Sequence, residues 1–185
     1  MKIGVLALQG DFEAHARALR AVGADPFEVR TPSELASADA LIIPGGESTT
    51  IRKLATNYGL LEPLRERARG GLPIFGTCAG MIACARTITD DEEPILGVVD
   101  IDVRRNAYGR QVQSFEADID VAGVGEMRAV FIRAPRIERV GDAVEVLATN
   151  NGEPVVVRQG QIMLAAFHPE LTDDVRLHRL FVESL

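Results

Sequence analysis

Short apolar runs alternate with amphipathic stretches through the first half of the chain, and this alternation limits the fold more than any other feature. Strands that are apolar on every residue belong in a sheet covered on both faces, and a helical stretch between two such strands makes the pairing parallel. Residues 3–8, 26–30, 40–43 and 72–75 read as strands of this kind. Residues 11–22 read as a helix with Phe12, His15 or Ala16, and Leu19 on one face. Two further helices follow, one from Ser48 as N-cap through residue 57 and one over 60–69, and residues 79–87 read as the next. Beyond Ile95 the texture changes to strands without intervening helices, at 96–104, 114–121, 129–133, 144–148, 154–158 and 162–167. Asn150-Asn151-Gly152 and Gln159-Gly160 mark tight turns among the last three. Thr172-Asp173-Asp174 caps a final helix. With no repeat and no linker, residues 1–185 read as one α/β domain with a mixed sheet whose strand order the pattern leaves open.

The length permits one sizeable core, since a globule of 185 residues buries roughly 70% of its unfolded surface. A net charge of -7 argues against a nucleic-acid surface, which needs clustered Lys and Arg, and favours a small molecule or a protein as partner. Cys78 and Cys84 lie too close along one turn and helix for a good disulfide, so the expectation is reduced thiols and a cytoplasmic protein. The apolar start at residues 1–8 ends too early, at Gln9-Gly10-Asp11, for a signal peptide, and no run is long enough to span a membrane.

Gly76-Thr77-Cys78-Ala79-Gly80 stands between a buried strand and a helix, with the spacing of a nucleophile elbow and Cys in place of Ser. Such a turn needs small neighbours and lifts the side chain to the carboxyl edge of the sheet, where open α/β sheets bind ligands. The helix N-terminus that follows favours an anionic sulfur and leaves the Ala79 amide free for an oxyanion. The alternative is a buried Cys at a strand end with glycines that only serve the turn. A thiolate attacking an amide needs a base, and the chain offers His15, His168 and His178. His168 ends a strand and precedes Pro169-Glu170; an extended segment puts His168 and Glu170 on one side, so the carboxylate can hold one ring nitrogen while the other faces the thiol. For His15 and His178 a solvated or packing role is the expectation, and for Cys84 a place in the core. Pro44-Gly45-Gly46-Glu47-Ser48 follows a strand and precedes a helix, so its amides suit an anionic or carbonyl oxygen. A phosphate site and a plain turn with a helix cap compete with that reading, although the run lacks the Gly-Lys-Ser/Thr ending of a P-loop.

These motifs resemble those of the class I, or triad, glutamine amidotransferases, and within them the glutaminase subunits of two-subunit pyridoxal 5'-phosphate synthases. The resemblance runs through residues 4–12 and 44–50, Phe75-Gly76-Thr77-Cys78-Ala79-Gly80-Met81, Arg105-Asn106-Ala107-Tyr108-Gly109-Arg110-Gln111, Phe131-Ile132-Arg133-Ala134-Pro135 and Phe167-His168-Pro169-Glu170-Leu171. It implies a flavodoxin-like three-layer sandwich around a central, mostly parallel sheet. Cys78 is then the nucleophile and His168 with Glu170 its relay. Glutamine lies against Gly46, Glu47, Ser48, Arg105, Ile132 and Arg133, with Gly46 and Ala79 as the oxyanion hole. Without the resemblance, Arg105 and Arg133 read as surface or partner-facing ion pairs. The implied partner is a barrel-shaped synthase subunit in a hetero-oligomer that makes vitamin B6 phosphate, and the glutaminase half-reaction calls for no cofactor and no metal. Three rivals remain open: a glutaminase subunit serving imidazole glycerol phosphate, anthranilate or guanylate synthesis; a cysteine peptidase or chaperone-like protein of the same α/β type; and a regulatory subunit with a vestigial site.

Overall fold

The first half folds as β1 (Lys2–Leu6), α1 (Phe12–Ala21), β2 (Asp25–Val29), α2 (Pro32–Ala36), β3 (Ala40–Ile43), α3 (Ser48–Asn57), α4 (Leu61–Arg69), β4 (Ile74–Thr77) and α5 (Ala79–Cys84). The second half adds β5 (Ala85–Ile88), β6 (Val99–Arg104), β7 (Ser114–Val121), β8 (Gly125–Ile132), β9 (Arg136–Val140), β10 (Glu145–Asn150), β11 (Glu153–Gln159), β12 (Ile162–Ala165), a 3₁₀ turn at Pro169–Leu171 and α6 (Arg176–Glu183). The structure is a computed structural model that describes residues 1–89, 93–105 and 114–185.

A seven-stranded sheet in the order β10-β11-β12-β4-β3-β1-β2 forms the centre. The run from β12 to β2 is parallel throughout, and β10 and β11 add an antiparallel edge. Residues of β3, β4 and β12 are buried at every position, as the unbroken apolar runs require of strands covered on both faces. Sheet order explains where the helices lie. The chain steps outward from β1 to β2, then returns past β1 to β3, and right-handed crossovers put the helices of opposite steps on opposite faces. Accordingly α1 packs with α6, while α3 packs on α4 and α5. Between β1 and β3 the winding reverses, so the loops leaving their carboxyl ends part and open a crevice. β7 and β8 form a separate antiparallel ribbon, and β5, β6 and β9 a small third sheet.

Several boundaries differ from expectation for local reasons. The helix expected over 79–87 ends at Cys84, because Ala85 turns extended and Ala85–Ile88 pairs with β6 as a parallel strand. Glu47, not Ser48, is the N-cap of α3; its backbone is extended, and Ser48 is the first helical residue with its side chain buried. Likewise α6 starts after Val175, and Asp174 accepts the Arg176 amide from just outside the helix. Helix α2 and strand β9 are too short to show periodicity, although Thr31 and Glu34 form a capping box around α2. Asn151 and Gly152 both have positive φ, the two-residue hairpin turn expected between β10 and β11. Of the Arg105–Gln111 motif only Arg105 lies within the described residues.

Candidate active site

Four loops at the carboxyl ends of parallel strands converge on the crevice: Gln9 after β1, Gly45 and Gly46 after β3, Cys78 after β4 and His168 after β12. Cys78 has φ 49° and ψ -103°, a conformation L-residues avoid and one that persists only where the surroundings enforce it. The enforcement is steric. A Cβ on Gly76 would sit 2.8 Å from the Gly80 carbonyl, and one on Gly80 would collide with the Ile43 carbonyl. Both glycines are therefore required for β4 to turn directly into α5. The Cys78 amide donates to the Ala165 carbonyl at 2.8 Å and its thiol lies 3.9 Å from the Ile132 carbonyl.

His168 stands on the other wall of the crevice, and a Cβ on Gly45 would collide with its ring. Its Nδ1 is 2.7 Å from Glu170 Oε1. The contact arises differently from the extended geometry expected: Pro169–Leu171 is a 3₁₀ turn that brings Glu170 back against the ring. Burial pulls the imidazole's pKa down, but hydrogen bonds and charge from Cys78 on one side and Glu170 on the other outweigh it and push it up to about 10. An imidazole so placed is held toward its protonated form.

A cavity of about 130 Å³ opens above these groups, lined by Gly46, Glu47, Ser48, Cys78, Ile82, Arg105, Ile132, Arg133 and His168. All six residues expected around a substrate line it; Glu170 lies behind His168 and Ala79 beneath Cys78, both buried. Arg133, itself at φ 43°, approaches Glu47 to 3.5 Å across the mouth, with both side chains about half exposed. Their ion pair is therefore worth little by itself, and the pair remains available to a zwitterionic ligand.

Sequence reasoning gave no site role to four groups that the fold brings here. The Gln9 side chain clamps the glycine turn, donating to the Gly45 carbonyl at 3.2 Å and accepting the Glu47 amide at 2.9 Å. Thr77 accepts the Gly45 amide at 3.1 Å, so the elbow and the glycine turn are tied together. His15 and His178 are fully buried, not solvated, and His15 Nε2 is 3.3 Å from Glu170 Oε2. The buried polar side chains among the described residues are His15, Ser48, Thr77, Glu170 and His178, all gathered at or behind this crevice. Since burying polar groups is unfavourable unless they are paired, that clustering was the signal, but it needed the strand order to be seen. Both cysteines are free, and burial pushes the Cys84 thiol up to about 12, leaving it inert in the core. Among the described residues no group of acidic, His and Cys side chains is placed to hold a metal ion.

Fold and crevice together define an α/β protein with a cysteine elbow facing a His–Glu pair, the arrangement of a triad amidohydrolase. The SNO glutamine amidotransferase family model matches residues 5–185, and the chain belongs to that family. It is 58% identical to the pyridoxal 5'-phosphate synthase subunit PdxT of Frankia alni, over 98% of this chain and 94% of that protein. It is 57% identical to the PdxT subunit of Pelotomaculum thermopropionicum, over 100% and 95%. A solved glutamine amidotransferase superposes with a TM-score of 0.93 at 53% identity, covering 98% of this chain and 97% of that one. The PurLQS structure from Thermotoga maritima, at 16% identity and TM-score 0.72 over 99% and 96% of the two chains, shares the fold.

Proposed function

We propose that the chain hydrolyses L-glutamine to L-glutamate and ammonia as the glutaminase subunit of a pyridoxal 5'-phosphate synthase, and that residues 1–185 form one catalytic domain. The observation that carries the reading is the meeting of Cys78 and the paired His168–Glu170 at the floor of a cavity lined by Gly46, Glu47, Ser48, Arg105, Ile132 and Arg133. Arginine and the Glu47 carboxylate suit the two charged ends of the amino acid.

With its proton already held by His168, the Cys78 sulfur attacks the side-chain amide carbon as the thiolate, and the carbonyl oxygen becomes an oxyanion held by the Ala79 and Gly46 amides. The carbon–nitrogen bond breaks as protonated His168 gives its proton to the departing nitrogen, releasing ammonia and leaving a γ-glutamyl thioester. His168, now neutral, takes a proton from water, whose oxygen attacks the thioester carbon; glutamate leaves and the sulfur is restored. Glu170 keeps Nδ1 occupied and the ring aligned throughout. No step calls for a cofactor. Ammonia passes to a synthase subunit in a hetero-oligomer, as the synthase-subunit names of the relatives suggest. A reducing cytoplasm fits the two free cysteines.

The test is ammonia release from L-glutamine by the purified chain, alone and with its cognate synthase subunit. Release that rises with added synthase is expected. No release under either condition would overturn the reading.

A further inference from the structure

Behind the cleft lies a buried string of polar groups that the hydrolytic steps above leave unused. His15, on α1, places Nε2 3.2 Å from Thr77 Oγ1 and 3.3 Å from Glu170 Oε2, and Nδ1 2.9 Å from Nε2 of His178 on α6. His15 and His178 are both 0% exposed. Glu170 Oε1 is taken by His168, whereas buried Oε2 has no regular hydrogen bond among the described residues; His15 is the imidazole that faces it. A buried carboxylate oxygen left without a donor is strongly unfavourable.

Two tautomer chains fit these distances, and they are not equivalent. With the proton of His15 on Nδ1, its Nε2 lone pair would face the carboxylate, and the matching proton on His178 Nδ1 would be a buried donor without an acceptor. With the proton on Nε2, His15 offers one N–H to Thr77 and Glu170 together, and His178 donates its own Nε2–H to His15 Nδ1. The groups left over are then His178 Nδ1 as an acceptor and the Thr77 hydroxyl hydrogen, which in the first arrangement goes to His15 Nε2; what favours the second is that the charged carboxylate oxygen faces an N–H and not a lone pair. Both rings are held toward the neutral form. Burial, then the charges of His178 and His168, hold His15 well below the usual imidazole range, and burial holds His178 down to about 4.

We infer that His15 is a positioning residue of the glutaminase site, whose Nε2–H, set by His178, pins the Glu170 carboxylate from behind and ties it through Thr77 to the Gly45 amide. This rests on the proposed function for its kinetic readout. The base is thus oriented by a carboxylate that is itself oriented, and the same imidazole joins the base side of the site to the glycine turn.

The experiment measures glutamine turnover in the complex with the synthase for wild type, His15→Leu and His15→Gln, together with long-range ¹H–¹⁵N spectra of the histidine-labelled wild-type chain. Leu keeps bulk and removes the donor, while Gln carries an N–H₂ at the reach of Nε2. His15→Leu should lower kcat on the order of 10–100-fold, the range that outer hydrogen-bond partners command elsewhere, with KM for glutamine little changed, and His15→Gln should restore most of it. Spectra should show His15 protonated on Nε2. A His15→Leu complex with wild-type kcat, or equal losses in Leu and Gln, would overturn the inference. So would an Nδ1–H tautomer for His15, a result that needs no variant to fold and no turnover. Failure of the glutaminase reading shows separately, as an inactive wild type.

Discussion

On its cleft side Glu170 meets an imidazole pushed up to a pKa of about 10, and on its core side an imidazole held well below the ordinary value, with a third at about 4 behind it. Depth alone does not separate them, because the His168 side chain is only 13% exposed. Partners do. His168 sits between a thiol and a carboxylate oxygen at 2.7 Å, so the surroundings favour its cation. His15 is fully buried beside a second imidazole and a hydroxyl, and it faces the far Glu170 oxygen at 3.3 Å without a regular hydrogen bond; burial first, then the charges of His178 and His168, disfavour its cation. One carboxylate thus faces a histidine held toward its cation on the cleft side, the proposed proton carrier, and histidines held toward neutrality on the core side, the proposed positioning groups.

The sharpest way to break this contrast is to remove the groups proposed to react. Cys78→Ala and His168→Asn should each reduce glutamine hydrolysis by on the order of 10⁴–10⁶-fold while the complex still uses added free ammonia. Cys84→Ala, in the core, should leave turnover close to wild type. Ammonia release by the three variants checks both statements, and a fully active Cys78→Ala protein would dispose of the nucleophile. Glu170→Gln comes next. It keeps the shape but removes the charge and turns one acceptor into a donor, so a loss of about 10²–10³-fold is expected, smaller than for His168→Asn because the ring keeps part of its alignment. Equal losses for the two variants would mean that the carboxylate does more than orient.

Gly46→Ala probes the glycine turn. A Cβ there would collide with the Gln9 amide, and Gly46 holds a φ of 139° that L-residues rarely adopt. Glycines let this peptide reorient at low energy, and in the proposed mechanism only one orientation would aim the Gly46 amide at the oxyanion. If docking of the synthase near Gln9-Gly10-Asp11 selects that orientation, the variant should bind the synthase yet lose stimulation by up to roughly 10²-fold, the worth of one oxyanion donor. Ammonia release titrated against synthase measures this, and full activity in the isolated chain, unchanged by synthase, rules the gate out.

What could be read from residue order follows the range of the forces involved. The parallel strands were legible because their apolar runs are unbroken, and the elbow because Gly76 and Gly80 are demanded by local sterics. The His168–Glu170 contact was legible in its outcome but not its cause, since Pro169 starts a 3₁₀ turn where an extended segment was expected. Gln9 and His15 were not legible as neighbours of the site, nor was the hydrogen bond by which Thr77, next to Cys78 in sequence, accepts the Gly45 amide. Each arises only because β1, β3 and β4 lie side by side, which residue spacing does not encode. His15 in particular looks from its helix like any residue on the inward face of α1, and its partner His178 is 163 positions away.

The smallest expected effect separates the two histidine environments by stability. For His178 the folded-state pKa is about 4 against 6.5 unfolded, so below pH 6.5 the unfolded chain binds a proton that the folded chain refuses. Stability is lost as pH falls from 6.5 toward 4, at about 1 kcal/mol per pH unit for this group. For His168 the sign reverses. Its folded value of about 10 lies above 6.5, so its contribution is complete below pH 6.5 and disappears as pH rises toward 10. Denaturant unfolding of wild type, His178→Gln and His168→Asn across pH 4.5–9.5 reads both slopes. His178→Gln should flatten the acid limb relative to wild type and leave the alkaline limb alone, and His168→Asn should do the opposite. If His178→Gln flattens neither limb, or both variants act on the same one, the neutral pair and the charged base are not distinct populations, and the contrast across Glu170 fails.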